Sequence, residues 1–172
     1  VMLIVSPGCC GRNTSVLSSM RAYQDHFYYL LMDETDIVTG RHLKKIPKAV
    51  VEICEGLKKK PSVVMICITC VDALLGTDME RVCHKAEEYA GVPVRPCYMY
   101  ALTREGRKPP MVHVRQSVYS LLEPKKKKGN VVNLLGYFSP LTDDCELYDL
   151  LHGAGVKTIH EISRCKDYAQ YQ

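Results

Sequence analysis

The chain has 172 residues, 47% of them hydrophobic and 24% charged, with a net charge of +4. These values describe one globular domain, or one domain and part of another. They give no concentrated basic tract for nucleic acid, no apolar stretch long enough to cross a bilayer and no signal peptide, so neither nucleic acid nor a membrane is an expected partner.

Strands and helices alternate along the sequence. Residues 1–5 form an apolar run that reads as a buried strand. Thr14 or Ser15 is placed to cap a helix running to about Tyr23. Residues 27–32 read as a short strand. Leu43, Ile46, Val50, Ile53, Cys54 and Leu57 recur at helical spacing and predict a helix over 42–60, with Pro47 in its first turns. Residues 63–68 are a continuous apolar run rich in β-branched residues, a strand covered on both faces. A helix over 78–89 ends at Gly91 and Pro93, and 92–99 is the next strand. Residues 111–122 read as a helix. Further strands are expected at 131–138 and 156–162, with a helix over 143–152 between them.

This alternation predicts an α/β fold, a parallel sheet with helices on both faces in the Rossmann-like or flavodoxin-like manner. The polar stretch 123–130, which holds Pro124, Gly129 and four consecutive lysines, reads as a linker. It separates a cysteine-bearing α/β domain at 1–122 from the beginning of a second at 131–172. The sequence starts within a strand and stops just past another, which reads as a piece of a longer polypeptide.

Nine cysteines are many for this length. Cys54, Cys67 and Cys83 lie in apolar strands or helix faces. That pattern fits reduced thiols in a cytoplasmic compartment better than a secreted disulfide framework. Two cysteine corners stand out. Pro7-Gly8-Cys9-Cys10-Gly11 follows the first strand, and Thr69-Cys70-Val71-Asp72 follows the third. Each sits where a strand ends and a helix begins, and ligands of open α/β sheets collect outside the carboxyl ends of strands. A helix N-terminus also favours thiolates. The arrangement suggests a metal or an iron–sulfur cluster held by residues far apart in sequence. A glycine-rich turn with two inert thiols is the competing reading of Cys9 and Cys10.

Other motifs carry less. Cys67 and Cys70 form a Cys-x-x-Cys, but alternation along a strand sends them to opposite faces, and no second such pair completes a zinc site. Cys67 reads as core, Cys97 as more often a packed thiol, and Cys145 and Cys165 have no supporting pattern. The six histidines are scattered and read as surface or satisfied residues. There is no Walker A loop and no Gly-x-Gly-x-x-Gly. The lysine runs at 58–60 and 125–128 read as solvated.

These residues resemble the component 1 proteins of nitrogenase and their relatives. In that family a Gly-Cys follows the first strand, and a later Ser/Thr-Cys precedes a Leu/Ile-Gly-x-Asp stretch. Here they correspond to Gly8-Cys9 and to Thr69-Cys70 with Leu75-Gly76-Thr77-Asp78-Met79-Glu80. Asp36-Ile37-Val38-Thr39-Gly40 resembles a third family motif. Gly91-Val92-Pro93-Val94 and Val132-Asn133-Leu134-Leu135-Gly136 resemble its next strands. Thr77 stands in place of the usual first Asp, and Arg41 in place of a second Gly.

The resemblance implies an electron-accepting oxidoreductase subunit. Its iron–sulfur cluster, of the four-iron or P-cluster type, would be held by Cys9 and Cys70, with Cys10 an adjacent candidate. Two thiols do not complete a cluster, so it also implies a dimer with a second component 1 subunit, or a further cysteine upstream. A P-loop ATP-dependent iron–sulfur reductase is the implied electron donor. The substrate stays open between dinitrogen, a tetrapyrrole, a carbon–sulfur compound and none. The alternatives are a non-enzymatic scaffold for cluster or cofactor assembly, and a flavodoxin-like domain with incidental cysteines.

Overall fold

The computed structural model describes residues 1–20, 23–98, 109–126 and 129–172. Positions 21–22 of the expected first helix, Met99 of the expected fourth strand, and Lys127 and Lys128 lie outside the described residues. The chain divides into two compact units, Val1–Leu121 and Leu122–Gln172.

The first unit is built on a four-stranded parallel sheet. Its strands are β1 (Met2–Ser6), β2 (Phe27–Leu31), β3 (Val64–Ile68) and β4 (Val94–Tyr98), in the order β2-β1-β3-β4. Val5 pairs with Leu30 on one side and Ile68 on the other, and Cys67 pairs with Cys97. A right-handed crossover fixes the side on which each connecting helix lies. The chain leaves β1 in one direction to form β2 and returns past β1 to form β3, so its helices fall on opposite faces.

On one face Leu3, Val5, Ile66, Ile68 and Val94 pack under α3 (Arg41–Gly56) and α5 (Met79–Ala90). Helix α3 contributes Ile46, Val50 and Ile53, and α5 contributes Cys83, Ala86 and Ala90, each set at helical spacing. Each large aliphatic side chain buried here is worth roughly 1.5–3 kcal/mol. The other face is smaller: Ile4, Cys67 and Cys97 form a cluster with Val114 of α6 (Pro110–Tyr119). Helix α1 (Gly8–Met20) also lies on this face. A Cβ on Gly11 would stand 3.1 Å from Ser6 Oγ and 3.2 Å from Leu31 Cδ2, so any larger residue there must push these side chains aside for α1 to sit this close to the sheet.

Several element boundaries differ from the sequence expectation. Helix α1 starts at Gly8, not at Thr14 or Ser15, because Gly11 N–H already donates to the Pro7 carbonyl at 3.2 Å. Thr14 lies inside the helix and bonds back to the Cys10 carbonyl. The helix expected over 42–60 is preceded by α2 (Glu34–Thr39), which the apolar spacing did not reveal. Asp33 caps α2 by accepting from Asp36 N–H at 2.7 Å, and Gly40 at φ 65° turns the chain from α2 into α3. Pro47 falls in the second turn of α3, where it removes one N–H from the helical ladder. A short helix α4 (Cys70–Leu74) intervenes between β3 and α5.

The second unit pairs two parallel strands, β5 (Val131–Leu134) and β6 (Thr158–Glu161), joined through α7 (Glu146–Gly153). Helix α8 (Tyr168–Tyr171) closes the chain. Both strands are shorter than expected. Glu161 organises this unit: its carboxylate accepts from Leu141 N–H, Ser163 Oγ, Tyr148 Oη and Arg164 Nε at 2.7–2.9 Å. Burial works against the charge, but these donors outweigh it and hold the Glu161 carboxyl at about 2.

Two predictions follow from these contacts. Gly11→Val overpacks the α1–sheet contact and should cost about 1–3 kcal/mol, read as a lower urea midpoint with an unchanged slope. Glu161 has a depressed folded pKa, so its contribution is complete above the ordinary carboxyl value of 4.5 and lost as the pH falls towards 2. Glu161→Gln should therefore flatten the pH dependence of unfolding in that window, with loss of stability at pH 7, measured by denaturant titration at several pH values.

Candidate functional site

Strand order reverses between β1 and β3, since β2 flanks β1 on one side and β3 follows on the other. This is the topological switch point of the sheet, where crossovers diverge and leave a crevice outside the carboxyl ends. Both cysteine corners lie there. Strand β1 ends at Ser6 and Cys9 follows in the first turn of α1, while β3 ends at Ile68 and Cys70 opens α4. The fold thus brings to adjacent strand ends two residues separated by 61 positions in sequence.

Cys9 is exposed, whereas Cys10 and Cys70 are half-buried. The Cys9 and Cys10 sulfurs are 3.9 Å apart. Burial and the adjacent Cys9 thiol push the Cys10 thiol up. Thiols this close deprotonate together only when a cation offsets their mutual repulsion. The first-turn N–H groups of α1 supply donors beside them. The donor set therefore fits thiolate-bound iron. Among the described residues, no three His, Cys, Asp or Glu side chains converge to hold a metal ion by themselves.

The remaining cysteines are elsewhere. Cys67 and Cys97 are buried side by side in paired strands, and Cys54 and Cys83 are in the main core. All nine are free thiols. Cys97 does not reach the sheet edge at which Cys9 and Cys70 lie.

Behind Cys70 lies a buried polar cluster that the motif reading passed over. His42, the second residue of α3, is 1% exposed and Asp72 of α4 is 1% exposed. His42 Nε2 is 2.9 Å from Asp72 Oδ1, and Nδ1 is 3.0 Å from the Asp36 carbonyl. A carbonyl only accepts, so Nδ1 carries a proton, and the Nε2–Oδ1 contact needs a second one shared between ring and carboxylate. Thr77 Oγ donates to the same Asp72 oxygen at 3.2 Å, and Thr77 N–H donates to the Asp72 carbonyl at 3.0 Å. The Asp36 carboxylate is buried beside Lys45 Nζ at 2.7 Å and Arg41 Nε at 3.3 Å, and the Lys45 ammonium holds its carboxyl below the ordinary range. His42 is satisfied, as expected, but only its distance to Asp72 reveals its place beside Cys70.

The sequence model of the nitrogenase component 1 type oxidoreductase family matches residues 1–170, and the chain belongs to that family. Among curated relatives, the nitrogenase iron-molybdenum cofactor biosynthesis protein NifE of Rhizobium meliloti is 32% identical over 72% of this chain and 26% of its own length. The protein of the same name from Rhodobacter capsulatus is 28% identical over 98% of this chain and 36% of its own length. The nitrogenase molybdenum-iron protein alpha chain of Methanosarcina barkeri is 42% identical over 38% of this chain and 12% of its own length. The chain thus spans about a quarter to a third of the NifE proteins it matches. A solved structure of nitrogenase Cp1 at pH 6.5 superposes with a TM-score of 0.66, at 19% identity over 99% of this chain and 35% of that one. That likeness bears on the fold alone, an α/β parallel sheet with helices as read from the sequence.

The geometry sets an order of thiol behaviour. Cys10 has a thiol pKa above its ordinary value of 9.0, so its alkylation rate should still be rising beyond pH 9. Peptide-resolved mass spectrometry of the metal-free protein measures this, and a plateau below pH 9 would contradict it.

Proposed function

We propose that this chain is the cluster-bearing part of a component 1-type subunit, in which Cys9 and Cys70 are ligands of an iron–sulfur cluster. The observation that carries the reading is the placement of both cysteine corners at the carboxyl ends of adjacent strands, at the switch point between β1 and β3. The cluster, when bound, supplies one-electron redox chemistry. The chain's own residues hold and orient it: two thiolates bind, the α1 N-terminus donates hydrogen bonds, and Cys10 stands by as an adjacent thiol.

Two thiolates leave the cluster incomplete, so the remaining ligands come from a second component 1 subunit or from a further cysteine of the full-length protein. Apolar side chains at this edge support an association there: Leu74 and Leu75, which follow Cys70, are 69% and 53% exposed. In this reading the subunit accepts electrons from a P-loop ATP-dependent iron–sulfur reductase and serves an oxidoreductase in the cytoplasm. No described helix is long and apolar enough to cross a membrane.

A second reading is supported by the names of the relatives: a scaffold on which a metal–sulfur cofactor is assembled and from which it is passed on. Both readings share the cluster and differ in its fate.

The test is anaerobic purification of the full-length protein, with iron and sulfide analysis and EPR spectroscopy after dithionite. A brown protein that loses its cluster in Cys9→Ala and in Cys70→Ala is expected, and a colourless protein indifferent to both would sink the proposal. Incubation with a cluster-free acceptor subunit then separates the readings. Iron that stays with this subunit through repeated reduction supports the electron carrier, and iron that moves to the acceptor supports the scaffold.

A further inference from the structure

His42 joins two segments that the sheet does not hold together. Helix α4, which starts at Cys70, has five residues, too few to be stable by itself. Thr69 precedes it without a side-chain cap, and Thr69 Oγ is buried without a hydrogen-bond partner. Backbone bonds close the turn on itself, Leu75 N–H to the Val71 carbonyl and Thr77 N–H to the Asp72 carbonyl, and the Asp72 side chain adds a tie to α3. It receives Thr77 Oγ from the far end of the turn and faces His42 Nε2 from α3. The opposite edge of the His42 ring is tied to the Asp36 carbonyl of α2. Asp36 is itself held by Lys45 and Arg41 on α3. The contacts therefore run from α3 and α2 through one imidazole to the helix that presents Cys70.

We infer that His42 is a positioning residue for Cys70, acting through Asp72 to fix the turn from Cys70 to Thr77 against α2 and α3. This rests on the proposal that Cys70 is the functional thiol at the sheet edge, and it says what sets that thiol's place. Cys9 has no such support: its place follows from α1, which the chain folds back onto β1 through Gly11. A defect at His42 is thus expected at one cysteine corner and not the other.

Full-length protein stripped of metal by a chelator is treated with iodoacetamide, and the alkylation rates of Cys70 and Cys9 are read by peptide mass spectrometry. This readout is independent of whether the protein holds iron, so the positioning role and the cluster proposal fail separately. His42→Leu should raise the Cys70 rate at least about threefold by local opening of the turn, with Cys9 unchanged. His42→Gln, which keeps a donor towards Asp72, should restore the slow rate. His42→Asn, which keeps a donor near the Asp36 carbonyl but does not reach Asp72, should not. Should His42→Leu fail to fold, Thr77→Val removes one donor to Asp72 with His42 in place and should raise the Cys70 rate about twofold. An unchanged Cys70 rate, equal behaviour of the Gln and Asn variants, or a joint rise at Cys9 and Cys70 would each overturn the inference.

Discussion

The reversal of strand order between β1 and β3 is the constraint on which the rest of the first unit depends. A parallel strand must be followed by a crossover, and crossovers are right-handed. Once β2 lies on one side of β1 and β3 on the other, α1 and α3 fall on opposite faces of the sheet. The two connections that leave β1 and β3 then diverge, and they begin with the first turns of α1 and α4. Cys9 and Cys70 occupy those turns. Topology rather than local sequence makes them neighbours.

The packing supports this arrangement unequally. The face under α3 and α5 holds most of the apolar core, from Leu3 and Val5 to Ile66 and Ile68. The face under α1 and α6 is thinner and closes by near contact at Gly11 and around Ile4, Cys67 and Cys97. Cys9 rides on the thin side. Cys70 lies beyond the thick side, but on a short helix whose order comes from polar contacts to His42 and Thr77 rather than from burial. The two candidate ligands are therefore set by different physics, one by backbone proximity and one by a buried polar bridge.

Much of the fold was legible because the sheet is buried on both faces. Continuous apolar runs such as the one ending at Ile68 can be read as strands without knowing their partners, and Gly91 and Pro93 mark the end of α5 in the sequence itself. The start of α1 was harder. Gly8 and the cysteines are poor helix formers, and their helical state comes from the docking of α1 onto β1, a tertiary effect. Helix α2 was hidden for a similar reason: it is a six-residue segment defined by the Asp33 cap and the Gly40 turn rather than by an apolar stripe. At the site, the cysteines could be found by their position after strands. Arg41 and Thr77 were visible only as departures from a family motif. Their contacts, to Asp36 and to Asp72, show that both departures touch buried carboxylates whose residues His42 joins, which no spacing rule encodes.

In the proposed function Cys9 and Cys70 converge on one set of irons at the β1–β3 switch point. The most direct test is a crystal structure of the full-length protein purified anaerobically, with an anomalous difference map at the iron edge. Iron density is expected within bonding distance of both sulfurs, completed by ligands outside this chain's described residues. Iron bound elsewhere, or two protonated thiols at this edge with solvent between them, would contradict it.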